Sequence, residues 1–443
     1  MSPFSETPAS APPAWSSIAR ALADVERSPS VRLRGWVHRT RSSGGILFWV
    51  LRDGSGSVQV TARRDALGPE AFEEAEHAQV ESSVEVEGTL APDRRAPGGY
   101  ELKARSAKVI GASKDFPIFT EQTEEFLLDH RHLAVRTREM VATLKVKSEL
   151  LRGARELLDS EGYWEMTPPI LSGNAAEGGS QAFTLDYFGE TAYLAQTAQL
   201  YLEALLFPRE RVYAVSTSFR AEKSRTPRHL CEYTHLEAEI AWAGMEENLG
   251  LQERLLTHML HRAARERPEE LKLLGRDPAE LLALEPPFER MRYEKAIEQL
   301  RARGFSLEFG VDLGTAEERA LTQERSAPIF VTHFPREIKA FYMAEDPEDP
   351  RVVLGADLLA PEGYGEIIGG SCREWELGRL ERRMAELGIP EEPYRWYLDL
   401  RRYGSVPHAG FGLGVERVVR WVTRREHIRD ATPFPRTPSR LLP

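Results

Sequence analysis

Two cysteines, Cys231 and Cys372, in 443 residues are too few for a disulfide framework or a cysteine-rich zinc site, and they fit a reducing compartment such as the cytoplasm. No apolar run approaches the length of a membrane span, and the N-terminus lacks a basic stretch followed by an apolar one, so a cytoplasmic chain with no membrane partner is expected. Neither a Walker-type phosphate loop nor a Rossmann fingerprint occurs, so a nucleotide, if one binds, must lie on another kind of surface. Basic charge is also in deficit. With 58 Lys and Arg against 69 Asp and Glu the net charge is -11, which argues against a protein coated in nucleic acid but leaves room for local basic patches.

The length exceeds one ordinary core, so two or more domains are expected. Residues 1 to 14 are rich in Ser, Pro and Ala without apolar periodicity and read as a flexible tail. With a short amphipathic helix around 18–25, residues 1–30 form an N-terminal extension. From Val31 the pattern alternates, with Val31, Leu33, Gly35 and Val37 on one face, then Ile46, Phe48 and Val50, then Val58 and Val60 after the turn at Asp53-Gly54. Short strands so closely spaced predict a small closed barrel over 31–113. Residues 114–138, with Pro117 and the run Asp129-His130-Arg131-His132, read as a hinge. Beyond it Leu144, Leu151, Ala154 and Leu158 recur at helical spacing up to Gly162, where a helix should stop. Strand-like runs then alternate with helices to the C-terminus, over 139–443.

Near the C-terminus, Gly410-Phe411-Gly412-Leu413-Gly414-Val415-Glu416-Arg417 places alternating glycines before an acidic and a basic residue. Such a strand lets a flat ligand lie on its backbone, with a permanent planar cation beside it; a bulged core strand would look the same. A second segment, Phe219-Arg220-Ala221-Glu222, is followed by a basic loop and Arg228-His229-Leu230-Cys231-Glu232-Tyr233. These two resemble motifs 2 and 3 of the class II aminoacyl-tRNA synthetases, and the run from Glu161 to Leu171 resembles motif 1, all in the family's order. Arg225-Thr226-Pro227-Arg228-His229-Leu230, Ile338-Lys339-Ala340-Phe341-Tyr342-Met343 and Phe434-Pro435-Arg436-Thr437-Pro438 resemble the aspartyl/asparaginyl branch. The resemblance covers about residue 31 to the end. It implies an α+β chain, in which an N-terminal OB-fold β-barrel precedes the class II antiparallel sheet flanked by helices, and a homodimer joined through motif 1.

For the site, the resemblance implies that Arg220 holds the α-phosphate of ATP, Glu222 and Tyr233 the adenine side, and Arg228 and His229 the outer phosphates. Arg417 would hold the γ-phosphate, so Arg220 and Arg417 are the expected catalytic pair. Asp357 and Glu366 match positions that bind Mg2+ with ATP. Activation joins an already ionised carboxylate to the α-phosphate, so alignment and charge screening are needed rather than a strong base. Any one of these side chains could instead be half of a surface ion pair. On the barrel, Phe48 and Gln59 match an aromatic and an amide that read the central anticodon base, with Arg34, Arg39, Arg41 and Arg52 near in sequence; otherwise Phe48 is core.

Two amino acids of nearly equal shape compete for such a site, so charge must sort them. Aspartyl enzymes of the branch carry a lysine where this chain has Leu202, and Glu237 falls where the asparagine enzymes accept the side-chain amide. Arg373 would donate to the side-chain carbonyl, and Glu177 and Gln199 would hold the α-amino group. Glu374 stands where an apolar residue is expected. The expectation is therefore activation of asparagine with Mg-ATP and transfer to tRNA(Asn). An aspartyl enzyme with relaxed tRNA choice, an asparagine-forming amidoligase and a non-catalytic RNA-binding paralogue are the alternatives.

Overall fold

The computed structural model describes residues 14–119, 122–176, 181–224 and 226–442. They fall into two units, divided between Gln122 and Thr123. The first contains β1 (Trp15–Ser16), β2 (Ser30–Ser43), β3 (Ile46–Arg52), β4 (Ser57–Arg63), β5 (Ser83–Pro92) and β6 (Tyr100–Gly111). The order is β1-β2-β3-β4-β6-β5, and β5 pairs back onto β2 to close a five-stranded barrel. Its core is Leu33, Val37, Leu47, Trp49, Leu51, Val58, Val60 and Leu102, with the helix Pro69–Glu76 contributing Phe72.

Two sequence expectations need correction here. The inward residues of β3 are Leu47, Trp49 and Leu51, whereas Ile46, Phe48 and Val50 are half-buried on the outer face. Every residue from Ile46 to Leu51 is apolar, so alternation along this strand has no phase to read, and only pairing with its neighbours sets one. The segment expected as an extension is, from Trp15 onward, part of this unit. Trp15 pairs with Arg32 in parallel, Ile18 and Ala21 enter the core, and the Ile18 N–H donates to the Asp53 carboxylate at 2.8 Å.

The second unit contains β7 (Trp164–Glu165), β8 (Leu171–Ser172), β9 (Thr184–Tyr187), β10 (Glu190–Leu194), β11 (Arg211–Phe219), β12 (Glu232–Ala241), β13 (Glu289–Arg292), β14 (Ile329–Thr332), β15 (Gly355–Ala360), β16 (Gly365–Cys372) and β17 (His408–Gly414). An eight-stranded sheet runs β13-β14-β15-β16-β17-β12-β11-β7, antiparallel from β14 to β11, while β8, β10 and β9 form a small sheet of their own. Helices Arg138–Ser160 and Met245–Glu266 pack on one face of the large sheet. The first buries Ala142, Val146, Leu150, Ala154 and Leu158, one row at every fourth residue, and the chain turns away at Gly162, whose φ of 82° suits glycine.

The expected hinge at 114–138 also changes shape. Helices at Glu124–Asp129 and Arg131–Ala134 belong to the second unit. The buried Arg131 donates to the carbonyls of Arg429, Thr432 and Pro433 at 2.7, 2.9 and 2.8 Å. Among the described residues no helix is long and apolar enough to cross a membrane.

Candidate active site

Strand alternation decides which side chains of the large sheet face away from the helices. On β12, Leu236, Ala238 and Ile240 enter the core, so His235, Glu237 and Glu239 stand on the opposite face. The same holds on β17, where Ala409, Phe411 and Leu413 are core and Gly410, Gly412 and Gly414 look the other way. A cavity of about 960 Å³ opens on that face, a size that suits a nucleotide and an amino acid together. Lining it are Arg220, Glu222, Arg228, His229, Glu366, Arg417, Asp357, Gln199, Glu237 and Arg373. Tyr233 lines a smaller pocket that shares Arg220, Arg228, His229, Glu366 and Arg417. The structure thus brings together every catalytic-unit residue expected to bind ATP, Mg2+ or the amino acid except Glu177, which lies outside the described residues.

One end of the cavity is cationic. Arg220 follows β11 directly and donates from Nε to the Tyr233 hydroxyl at 3.2 Å, with Glu222 3.9 Å from its NH1. Arg417, in the first turn of the helix Val415–Val422, holds the Glu366 carboxylate at 2.9 Å. Burial alone would raise Glu366, but Arg417, Arg228 and Lys339 hold it down to about 2. His229 is pushed down to about 4 by burial and by the neighbouring arginines. At neutral pH it is therefore an uncharged hydrogen-bonding ring, with the hydroxyls of Ser224 and Thr226 on its Nδ1. Asp357 accepts from Lys339 at 2.8 Å, and burial lifts its carboxyl to about 6. A Cβ placed on Gly369 would lie 3.4 Å from Asp357 and 3.5 Å from Glu366, so the two carboxylates converge over that glycine.

The other end is a buried polar nest. Glu237 accepts from the Thr197 hydroxyl and from the Ala198 N–H at 2.8 Å, with His235 Nδ1 at 3.3 Å. Burial disfavours its charge, yet His235 and these donors bring it below the usual carboxylate value. Arg373 is clamped by Glu239 through Nε and NH2 and by Ser371 through NH1 at 2.8 Å. Glu374, the departure noted in the sequence, turns away: it is buried and accepts the Glu376 N–H at 2.9 Å, leaving Arg373 undisturbed. Leu202 is packed with Ala198, Leu206, Val212 and Ala214 and brings no cation to the cavity.

The glycines of β17 have a use the sequence did not reveal. A Cβ at Gly410 would lie 2.2 Å from the Glu239 carboxylate, and one at Gly412 would lie 2.4 Å from His235 Nε2. Side chains of β12 therefore cross over β17 at Gly410 and Gly412, while Gly412 and Gly414 still line the smaller pocket with Tyr233 and Arg417. Sequence reasoning also passed over Thr197, His235, Glu318 and Lys339. Only Lys339 gave a signal, inside the string Ile338 to Met343.

In the barrel, Phe48 pairs with Arg41 on β2 and Thr61 on β4, and Val50 pairs with Gln59. Phe48 and Gln59 therefore share the outer face two residues apart in register, and the Arg41 guanidinium lies 4.4 Å from the Phe48 ring centroid. Of the other arginines, Arg34 is held by Glu85 and lies over Trp15, and Arg52 is held by Glu81. Arg39 and Arg41 remain exposed on the Phe48 face.

Comparison with known proteins agrees with this geometry. Residues 123–438 match the family of class II tRNA synthetases (D, K and N), and residues 31–110 match the OB-fold nucleic acid binding domain. The chain belongs to the class II aminoacyl-tRNA synthetases, in the group that handles aspartate, lysine and asparagine. Within that group, relatives about half identical to it are asparagine–tRNA ligases. That of Thermoplasma acidophilum is 47% identical over 427 residues, covering 96% of this chain and all of the relative. That of Thermococcus kodakarensis is 51% identical, covering 93% and 96%. The crystal structure of asparaginyl-tRNA synthetase from Pyrococcus horikoshii complexed with asparaginyl-adenylate superposes with a TM-score of 0.94 at 48% identity, over 97% of this chain and all of that one.

Proposed function

We propose that this chain activates asparagine with ATP to asparaginyl-adenylate and transfers the asparaginyl group to the 3′ end of tRNA(Asn). The observation that carries this reading is the ionised, buried Glu237 in the same cavity as Arg373, with Leu202 where a lysine would serve aspartate. Glu237 accepts the substrate's amide NH2 and repels a carboxylate, and Arg373 donates to the amide oxygen. Gln199, with Glu177, holds the α-amino group. Arg220 aligns the α-phosphate with the incoming carboxylate, and Arg228, His229 and Arg417 take the outer phosphates. The adenine lies between Tyr233 and Arg417, with Glu222 at its edge. Exchange of pyrophosphate into ATP, measured with asparagine and with aspartate, tests the reading. Asparagine alone should support exchange, and exchange with aspartate would overturn the substrate assignment.

Asp357 and Glu366 are the residues that would hold Mg2+. Their donor set fits: two hard carboxylates converge on one glycine, and among the described residues no group of three or more His, Cys, Asp or Glu could hold a metal unaided, so the remaining ligands would be phosphate oxygens and water, as Mg2+ prefers. When bound with ATP the ion supplies charge screening at the phosphates.

The barrel reads the anticodon through Phe48, Gln59 and Arg41. Stacking on an aromatic contributes about 1–3 kcal/mol per base, so Phe48→Ala should raise the KM for tRNA by about 10- to 100-fold and leave pyrophosphate exchange with asparagine untouched. An unchanged charging rate would assign Phe48 to packing alone.

The chain acts as a homodimer in the cytoplasm. Supporting the dimer, Trp164 on the two-residue edge strand β7, Phe207 and Trp242 are exposed. They lie close together, since Arg209 covers the Trp164 ring at 4.4 Å and the Ala241 N–H donates to Glu210. Apolar groups so placed mark an interface. Sedimentation equilibrium should give about twice the chain mass of 50.1 kDa, and the variant Trp164→Glu should sediment as the single chain.

A further inference from the structure

The helix Gln199–Arg209 carries Glu203 one turn beyond Gln199, and Glu203 is fully enclosed, with 0% of its side chain exposed. One oxygen, Oε2, accepts from two donors, the Tyr397 hydroxyl at 2.7 Å and Arg401 NH2 at 2.5 Å, and lies 3.0 Å from His408 Nε2. The other, Oε1, accepts from the Gln199 side-chain amide nitrogen at 3.0 Å. Arg401 and His408 are in turn held by the carbonyls of Glu374 at 2.9 Å and Val406 at 2.7 Å. Removing one partner from so buried a set leaves charges uncompensated, so this arrangement has a specific use or it would be cheaper as apolar packing.

A carboxylate can only accept hydrogen bonds, and a glutamine amide has one accepting and one donating end. Glu203 therefore takes the donating end of Gln199 and leaves the accepting end, the carbonyl oxygen, for the cavity that Gln199 lines. We propose that Glu203 is a positioning residue that fixes the Gln199 amide with its oxygen toward the substrate's α-ammonium group, so that the site selects α-amino acids over deaminated acids of the same shape. This rests on the reading that Gln199 meets the α-amino group.

The variant Glu203→Gln makes the idea testable because its outcome is dictated by the network. The Tyr397 and Arg401 donors at Oε2 hold the carbonyl oxygen of the new amide there, so its NH2 faces Gln199. Gln199 must then rotate, presenting NH2 to an ammonium group. Losing a hydrogen bond to a charged partner and gaining an opposed donor should raise the KM for asparagine by about 10- to 100-fold, with the KM for ATP unchanged. Succinamic acid, which is asparagine without its α-amino group, should inhibit wild type and variant with the same constant. Adding Gln199→Glu to Glu203→Gln restores an acceptor facing the cavity, because a carboxylate at position 199 can take the new NH2 with one oxygen and the ammonium with the other. The double variant should return the KM for asparagine to within a few-fold of wild type, and it keeps the test available if the single variant folds poorly.

Equal weakening of succinamic acid, an unchanged KM for asparagine, or no recovery in the double variant would overturn the proposal. Failure of the parent reading would show differently: removing the Gln199 amide itself, in Gln199→Leu, would leave the preference for asparagine over succinamic acid as in wild type.

Discussion

Arg417→Ala should abolish asparagine-dependent pyrophosphate exchange, lowering its rate by roughly 10³-fold or more, the range found when a phosphate-clamping arginine is removed. Two effects act together. The guanidinium that screens the outer phosphates disappears, and Glu366, which Arg417 holds at 2.9 Å, keeps a partly buried charge with its main counterion gone. A triphosphate entering the cavity would then meet a carboxylate compensated only by Arg228 and Lys339. The fold should survive, because Val418, Val419 and Trp421 on the same helix are at most 1% exposed and carry its packing, while Arg417 faces the cavity. Melting within a few degrees of wild type, a dimer in sedimentation and no exchange is the expected set. Arg417→Lys should recover only part of the activity, since an ammonium restores charge but not the planar fork. Normal exchange in Arg417→Ala would remove Arg417 from the ATP site.

The residues of that site could be picked from the sequence because the family's motifs are local strings, and each string needs only its own neighbours to be legible. The barrel was legible for a similar reason, as Val31, Leu33 and Val37 alternate with polar residues. Where no polar residue marks the phase, as from Ile46 to Leu51, alternation alone left the face undecided, and only the family resemblance set Phe48 outward. The partners that hold the site, Lys339 apart, could not be read. Glu318 reaches Arg228 across 90 positions and also accepts the Glu366 N–H at 2.8 Å. Glu239 covers Gly410 because β12 and β17 pair Glu239 with Gly410 directly. Such contacts follow from strand register between distant segments, which a single sequence does not display. The short helix expected around 18–25 is present as Ile18–Ala23, but its docking into the barrel was missed because the two-residue strand before it is too short a pattern to stand out from a tail.

The second large effect concerns substrate choice. In wild type, aspartate should be activated at least about 10⁴-fold less efficiently than asparagine, as expected where buried polar groups would be left unpaired or opposed by the wrong ligand. Glu237→Gln should shrink that ratio by about 100-fold or more. The replacement has nearly the same shape and can still accept the Ala198 N–H, which now reaches Glu237 at 2.8 Å, so the nest should persist. What changes is charge. An amide at position 237 accepts the substrate's NH2 only weakly, which lowers kcat/KM for asparagine. It no longer repels a side-chain carboxylate, so kcat/KM for aspartate rises or holds, and Arg373 remains to pair with it. Because the measured quantity is a ratio between two amino acids on one preparation, loss of folded protein cancels. If both substrates decline in proportion, Glu237 is only a support for Thr197 and His235, and selection between amide and carboxylate must lie with Arg373 and the apolar packing of Leu202.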